Sequence, residues 1–233
     1  DPEVPLVVPE VNPQAILKHK GIIANPNCST IIMVMALKPI YDLAKIKRVI
    51  VSTYQAVSGA GKEGIDELDA QVREHSEGRE MTANILPSAS AEKHYPIAFN
   101  LIPQIDVFCD NLYTKEEMKM VNETKKIMED YEMRITATTI RVPVYRSHSE
   151  SVNIELEKEV DLGAMREALA KFPGVTVQDD PSKQEYPMPL YTSEKDDVYV
   201  GRLRRDESCE KSYNMWVVGD QIRKGAALNT LQI

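Results

Sequence analysis

An α+β fold, a mainly antiparallel mixed sheet with helices packed on it, follows from three features of the sequence. Strand-type runs outnumber what an array of alternating parallel strands and helices requires, and several follow one another directly. In one of them Val152, Ile154 and Leu156 alternate with polar residues, the pattern of a strand with one buried face. Between the strands lie segments of helical spacing with recognisable caps, of which Thr114-Lys115-Glu116-Glu117 is the clearest.

Taken in order, Gly21 to Ala24 reads as a strand end running into the turn Asn25-Pro26-Asn27-Cys28-Ser29-Thr30. Ser29 to Leu43 is apolar nearly all round, which suits a buried helix, with Pro39 expected to kink or break it. Lys47 to Ala56 is rich in β-branched residues and predicts a strand. After the small-residue turn Ser58-Gly59-Ala60-Gly61, Lys62 to Glu77 predicts a polar amphipathic helix. Residues 79 to 105 read as irregular, because Pro87, Pro96 and Pro103 interrupt any regular run. Thr114 caps a helix expected to reach about Tyr131. Ile135 to Tyr145 and Ser151 to Glu157 predict strands, Asp161 to Phe172 a capped helix, and Val198 to Arg205 and Tyr213 to Val218 two more strands. Asp220 to Ile233 predicts a final helix containing Gly225.

Composition bounds the function. The 233 residues are 42% hydrophobic and 27% charged, which excludes disorder as a description of the whole. The longest apolar run, Ile31 to Leu37, falls far short of the roughly 20 residues a membrane span needs. No signal peptide is visible, and a net charge of -8 argues against nucleic acid as the main partner. Three sparse cysteines, Cys28, Cys109 and Cys209, suit a reducing compartment, and a cytoplasmic location is the expectation. The chain starts at Asp1 with prolines at 2, 5, 9 and 13, which reads as a connecting segment entered from a longer protein.

Cys28 carries the sharpest chemical signal. It stands where a turn meets a helix, and there the free backbone N–H groups and the positive end of the dipole would stabilise a thiolate. The same N–H groups could hold an oxyanion, with Asn27 adding a side-chain donor. A small buried structural cysteine is the alternative. His148, just after a strand-type run, could be a general base for such a cysteine or a structural histidine. Arg141 sits in a strand and either meets a carboxylate or faces solvent. Glu116 and Lys119 share a helix face, and on spacing alone they read as a solvated ion pair. No metal-ligand spacing occurs, and Ser58 to Gly61 is too short for a dinucleotide fingerprint.

In order along the chain these blocks resemble the aspartate-semialdehyde dehydrogenase family. Asn25-Pro26-Asn27-Cys28-Ser29-Thr30 is similar to its nucleophile motif. Tyr54-Gln55-Ala56-Val57-Ser58-Gly59-Ala60-Gly61 is similar to its second block, with Gln55 27 residues after Cys28. Glu116-Glu117-Met118-Lys119 resembles its substrate-charge helix, and Arg141 to His148, seven apart, its arginine-histidine block. Arg223-Lys224-Gly225-Ala226-Ala227-Leu228-Asn229 resembles its C-terminal helix. The resemblance implies the C-terminal domain type of glyceraldehyde-3-phosphate dehydrogenase. It also implies Cys28 as nucleophile, His148 as acid/base and Gln55 as a residue that helps orient the substrate, with Asn27 beside Cys28 in the catalytic set. Arg141 would bind the substrate α-carboxylate, Glu116 its ammonium and Lys119 its phosphate. Ser58, Gly59, Ala60, Gly61 and Asn229 would touch NADP.

The implied reaction is the reversible NADPH-dependent reduction of L-aspartyl 4-phosphate to L-aspartate 4-semialdehyde through a cysteine thioester, on the route to lysine, threonine and methionine. The implied division is 1–24 as linker and remnant of a cofactor-binding domain, 25–218 as catalytic and dimerisation domain, and 219–233 as a helix packing on the cofactor-binding domain. The family's N-terminal cofactor domain has no counterpart in these residues, so little activity is expected of this chain alone. A homodimer or homotetramer is the expected assembly, with no nucleic-acid or membrane partner. N-acetyl-γ-glutamyl-phosphate reductase and a non-catalytic dimerisation fragment are the rival readings. The first would leave a carboxylate at Glu116 with less purpose, because the ammonium of its substrate is acetylated.

Overall fold

A computed structural model describes residues 3–233. Its frame is a six-stranded mixed sheet built from β1 (Ile46–Gln55), β2 (Arg134–Arg141), β3 (His148–Leu156), β4 (Val175–Val177), β5 (Val198–Arg205) and β6 (Ser212–Gly219), in the order β2-β1-β3-β6-β5-β4. The three central pairings are antiparallel, and the outer pairs β1–β2 and β4–β5 are parallel. The predicted class and the mainly antiparallel character therefore hold.

Helix α1 (Cys28–Leu43) crosses one face of the sheet. Ile31 to Leu37 are all fully buried, which is why the sequence there is apolar on every side. Pro39 lies inside α1 and does not end it; packing against the sheet, α3 (Lys115–Ile127) and α4 (Leu162–Lys171) holds the helix continuous despite the missing N–H. Helix α3 opens with the expected capping box, in which Thr114 and Glu117 satisfy each other's backbone N–H groups. Asp161 caps α4 as predicted. The inward residues Val49, Val51, Val152, Ile154, Tyr213, Met215 and Val217 meet α1 in the main core, which Val8 and Val11 join from the N-terminal strip. Among the described residues, no helix is long and apolar enough to cross a membrane.

Helix α2 (Lys62–Ser76) organises a second, smaller core with the irregular residues 79–105. Gln71 accepts from the Ile97 and Ala98 N–H groups at 2.8 and 3.0 Å, so this stretch is held by side chains in place of a ladder.

Several boundaries differ from the sequence reading. Strand β2 stops at Arg141, short of Tyr145, because Pro143 cannot donate to a ladder. Strand β3 begins at His148, not Ser151, with His148 paired to Gly219, so His148 stands within a strand and not after one. Gly21 to Ala24 contains only the isolated bridge of Ala24 to Leu6. The predicted last helix starts later, at Arg223, and its first part is wound as a π-helix, Arg223–Ala227, that runs directly into α6 (Leu228–Gln232). Its cause is visible at Gly225, where a Cβ would lie 3.0 Å from the Cβ of Cys28; the widened turn accommodates that close approach. β4 and the short α5 (Pro189–Thr192) have no periodicity long enough to announce them.

Candidate active site

Residues of β1 and α3 meet the amino end of α1. Asn27 is its N-cap: the side-chain oxygen accepts from Thr30 N–H at 3.1 Å, and the side-chain amide donates to Glu116 at 2.8 Å. The backbone N–H of Asn27 donates to Glu123 at 2.7 Å. Gln55, the last residue of β1, donates to Ser29 Oγ at 2.7 Å and to Glu116 at 3.3 Å. Cys28 is thus clamped between a capped helix start and the turn bearing Gly225.

Its thiol is pushed up to about 12, chiefly by burial and by the Glu116 carboxylate. The backbone N–H of Ser29 and the Arg141 guanidinium pull the other way and are outweighed. This corrects the expectation that the helix start by itself holds a thiolate: a dipole worth at most about 2 kcal/mol loses to desolvation beside a carboxylate.

Arg141 is 4% exposed, and its Nη1 donates to the Ala56 carbonyl at 2.7 Å. Its buried Nε has no partner in the chain among the described residues. The exposed-arginine alternative is therefore excluded. Burial lowers its pKa, while Glu116 and Cys28 raise it, so the three groups form one electrostatic cluster. His148 is fully buried and accepts at Nδ1 from the Ala56 N–H at 3.1 Å. Burial and Arg141 hold its pKa well below the usual histidine range. Both side chains pass under Gly59, where a Cβ would stand 2.7 Å from Arg141 Nη1 and 3.3 Å from His148 Nε2. A side chain at residue 59 would therefore have to displace the Arg141 guanidinium.

Glu116 is 6% exposed and is not half of a solvated pair. Lys119 bridges it to Asp106, with 3.4 Å to each carboxylate. Burial opposes the charge on Lys119, but the two carboxylates win and its pKa is raised. The Ser58–Gly61 turn lies beside this cluster: Gly59 and Gly61 are exposed, and Ser58 accepts from Gln221. Asn229 is buried; its amide donates to the Val7 carbonyl at 2.9 Å and to Asn25 Oδ1 at 2.8 Å. Its oxygen accepts from Lys224, which is 1% exposed and also bonds Glu10 at 2.5 Å.

The sequence reading missed Ala56, Ser29 and Glu123. Ala56 acts through its peptide, which no side-chain pattern reveals. Glu123 lies seven residues after Glu116 on α3, a helical spacing that marks the same face and could have exposed it.

Fold and site together define a class: an α+β domain that presents a cysteine at a helix start, electrostatically linked to a buried arginine that lies beside a buried histidine. Residues 37–224 match the family described as semialdehyde dehydrogenase, dimerisation domain. The aspartate-semialdehyde dehydrogenase of Aquifex aeolicus is 56% identical over 235 residues, covering 100% of this chain and 67% of that protein. That of Bacillus subtilis is 52% identical over 234 residues, covering 100% and 68%. The crystal structure of aspartate semialdehyde dehydrogenase II from Vibrio cholerae complexed with ASA matches with a TM-score of 0.93 at 46% identity, covering 100% of this chain and 67% of that one. The chain belongs to the aspartate-semialdehyde dehydrogenase family of oxidoreductases, with the C-terminal domain fold of the glyceraldehyde-3-phosphate dehydrogenase type. It spans about two thirds of the length of these relatives.

Proposed function

We propose that Cys28 is the acyl-accepting nucleophile in the reversible conversion of L-aspartyl 4-phosphate to L-aspartate 4-semialdehyde, a step of amino-acid biosynthesis leading to lysine, threonine and methionine. The observation that carries this reading is the charge arrangement around one thiol: Arg141 and Glu116 are both buried and both electrostatically coupled to Cys28. An amino-acid head carries one charge of each sign, and a buried pair of opposite sign is complementary to it. In this reading Arg141 receives the α-carboxylate, using the Nε that has no partner in the chain. Glu116 receives the ammonium in exchange for its bonds to Asn27 and Gln55. Lys119, half-exposed at the rim, receives the phosphate.

The Cys28 sulfur attacks the acyl carbon and the carbon–phosphate oxygen bond breaks, leaving a thioester on Cys28. Asn27 keeps the helix start capped, Gln55 helps to orient the substrate, and His148 serves as the acid/base that takes up and returns the proton. NADPH, when bound, supplies the hydride that takes the thioester to the aldehyde level. The turn with Gly59 and Gly61 exposed and Ala60 half-buried between them fits a ligand that approaches closely. Asn229 is bonded on both sides and supports the site from behind by holding Asn25 and Lys224.

Residues 25–218 form the catalytic and dimerising part, flanked by 1–24 and 219–233, which in the longer relatives would adjoin the cofactor domain. Turnover by this chain alone is expected to be low. The sheet face turned away from α1 carries Tyr54, whose ring lies 5.6 Å from that of Trp216, with Ser151, Asn153 and Asn214, and it suits the contact of a homodimer.

The test is protection from alkylation. Iodoacetamide labelling at pH 9, read by peptide mass spectrometry, is expected to fall several-fold at Cys28 when aspartate semialdehyde is added, with Cys109 and Cys209 unchanged. Equal labelling of Cys28 with and without the aldehyde overturns the assignment.

A further inference from the structure

We infer that Asp106 is a positioning residue: it holds the Lys119 ammonium away from Glu116 and so keeps that carboxylate open for the ammonium of the substrate. Asp106 has this role only where Glu116 and Lys119 bind substrate as proposed above. Lys119 Nζ stands 3.4 Å from Glu116 Oε2 and 3.4 Å from Asp106 Oδ2. A charge-assisted N–H···O bond closes to about 2.7–2.9 Å where nothing opposes it. Lys119 has closed on neither carboxylate and is suspended between the two.

The two carboxylates are unequal. Glu116 is buried, and its Oε1 already accepts from Asn27 at 2.8 Å and from Gln55 at 3.3 Å. Its Oε2 faces Lys119. A lysine closed on Oε2 would neutralise Glu116, and an incoming ammonium would have to displace it. Asp106 lies at the rim, and its carboxylate is fixed in place. Its backbone is left-handed at φ 68°, a conformation that aspartate adopts more readily than most residues. Oδ1 accepts from the Val107 N–H at 2.8 Å, which leaves Oδ2 turned to Lys119. The Asp106 carbonyl accepts from the Gln104 amide at 3.1 Å.

The segment around Asp106 is anchored at both ends to elements of the site. Ile102 exchanges two backbone hydrogen bonds with Arg141, at 3.1 and 2.9 Å. The Val107 carbonyl accepts at 2.9 Å from the N–H of Lys115, the first residue of α3. Residues 102–107 thus run from the Arg141 backbone to the helix that carries Glu116 and Lys119. Asp106 is held by this frame, whereas Lys119 moves on a flexible four-carbon stem. Without the Asp106 charge, Glu116 remains as the carboxylate paired with Lys119, and the ammonium closes on it.

Asp106→Asn tests this, because asparagine adopts left-handed backbone and keeps an acceptor for the Val107 N–H while removing the charge. The readout is the concentration of aspartate semialdehyde that halves iodoacetamide labelling of Cys28. In the chain with Lys119, the substitution is expected to raise that midpoint about fivefold or more. In the Lys119→Met background it is expected to change the midpoint less than about twofold, since Asp106 acts through Lys119. No rise in the chain with Lys119 overturns the inference. An equal rise in both backgrounds also overturns it, and would show that Asp106 only supports its loop. If aspartate semialdehyde fails to protect Cys28 in the unsubstituted chain, the functional reading falls and this role with it, so that control separates the two failures.

Discussion

Three successive rows across the same strands compare the working and the structural ends of this sheet. In one row Ala137, Val51, Val152 and Met215 stand side by side, all buried and all apolar. One step along, the row is Thr139, Thr53, Glu150 and Val217, equally buried but mostly polar. At the end Arg141 pairs with Gln55, and His148 pairs with Gly219. Burial is nearly constant along this gradient while chemistry changes completely. The apolar row gains roughly 25 cal/mol for each Å² removed from water. The polar rows bury groups that cost free energy wherever they lack partners, and Thr53 Oγ1, Glu150, His148 Nε2 and Arg141 Nε all do. Apolar packing and the buried polar cluster are thus separated by four residue steps along β1, from Val51 to Gln55.

If that separation is real, the polar end should depend on saturated polar contacts. Lys224→Met removes an ammonium that bonds Glu10, Asn229 and Gln232 and leaves the Glu10 carboxylate unpaired. A loss of about 3–5 kcal/mol is expected in urea unfolding, with faster Cys28 alkylation as the turn loosens. A loss below about 1 kcal/mol would mean that the clasp does not hold this end.

The apolar end should fail differently. Ile154→Ala empties a fully buried site under α1 and is expected to cost about 2–5 kcal/mol, with the alkylation rate of Cys28 in the folded protein unchanged. A changed rate would dissolve the distinction between the two ends. Between them, Thr114→Ala deletes the cap that starts α3, the helix carrying Glu116, and should cost about 1 kcal/mol by the same assay.

The smallest and most diagnostic change is Glu150→Gln. Burial raises the folded-state pKa of Glu150 well above 4.5, whereas the unfolded chain ionises near about 4.3. Below that pH both states bind the proton and the substitution should be neutral. As pH rises the wild-type unfolded state gains by releasing its proton, so wild-type stability falls and the glutamine variant becomes the more stable. A stability gain that grows from pH 5 to 8 is expected in parallel denaturation curves. A gain of the same size at pH 3 would show that charge is not the reason.

How much of this was readable depends on the range of the forces involved. The α1, α3 and α4 helices and strands β5 and β6 could be read from the chain, because caps and hydrophobic period act within one or two turns. Thr114 with Glu117 and Asp161 with Gly163 are contacts between near neighbours. Cys28, Arg141 and His148 could likewise be singled out, since a turn-to-helix cysteine and a strand arginine are local patterns. The state of each group could not be read this way. The sequence placed Cys28 at the positive end of a helix, but Glu116, 88 residues away, and burial under Gly225 raise its thiol. Glu116 looked like a surface partner of Lys119 until Asn27 and Gln55 closed over it. That His148 is fully buried and accepts from the peptide N–H of Ala56, 92 residues earlier, was equally out of reach.

The sequence by itself determined the fold class, the order of most elements and the identity of the candidate site residues, because those follow from propensity, period and functional-group chemistry carried by each residue. Only the tertiary structure decided burial, hydrogen-bond partners and the direction in which each pKa is pushed. Those are set by fields and hydrogen bonds between segments that are distant in the chain, and desolvation acts only once the surrounding chain has closed around a group.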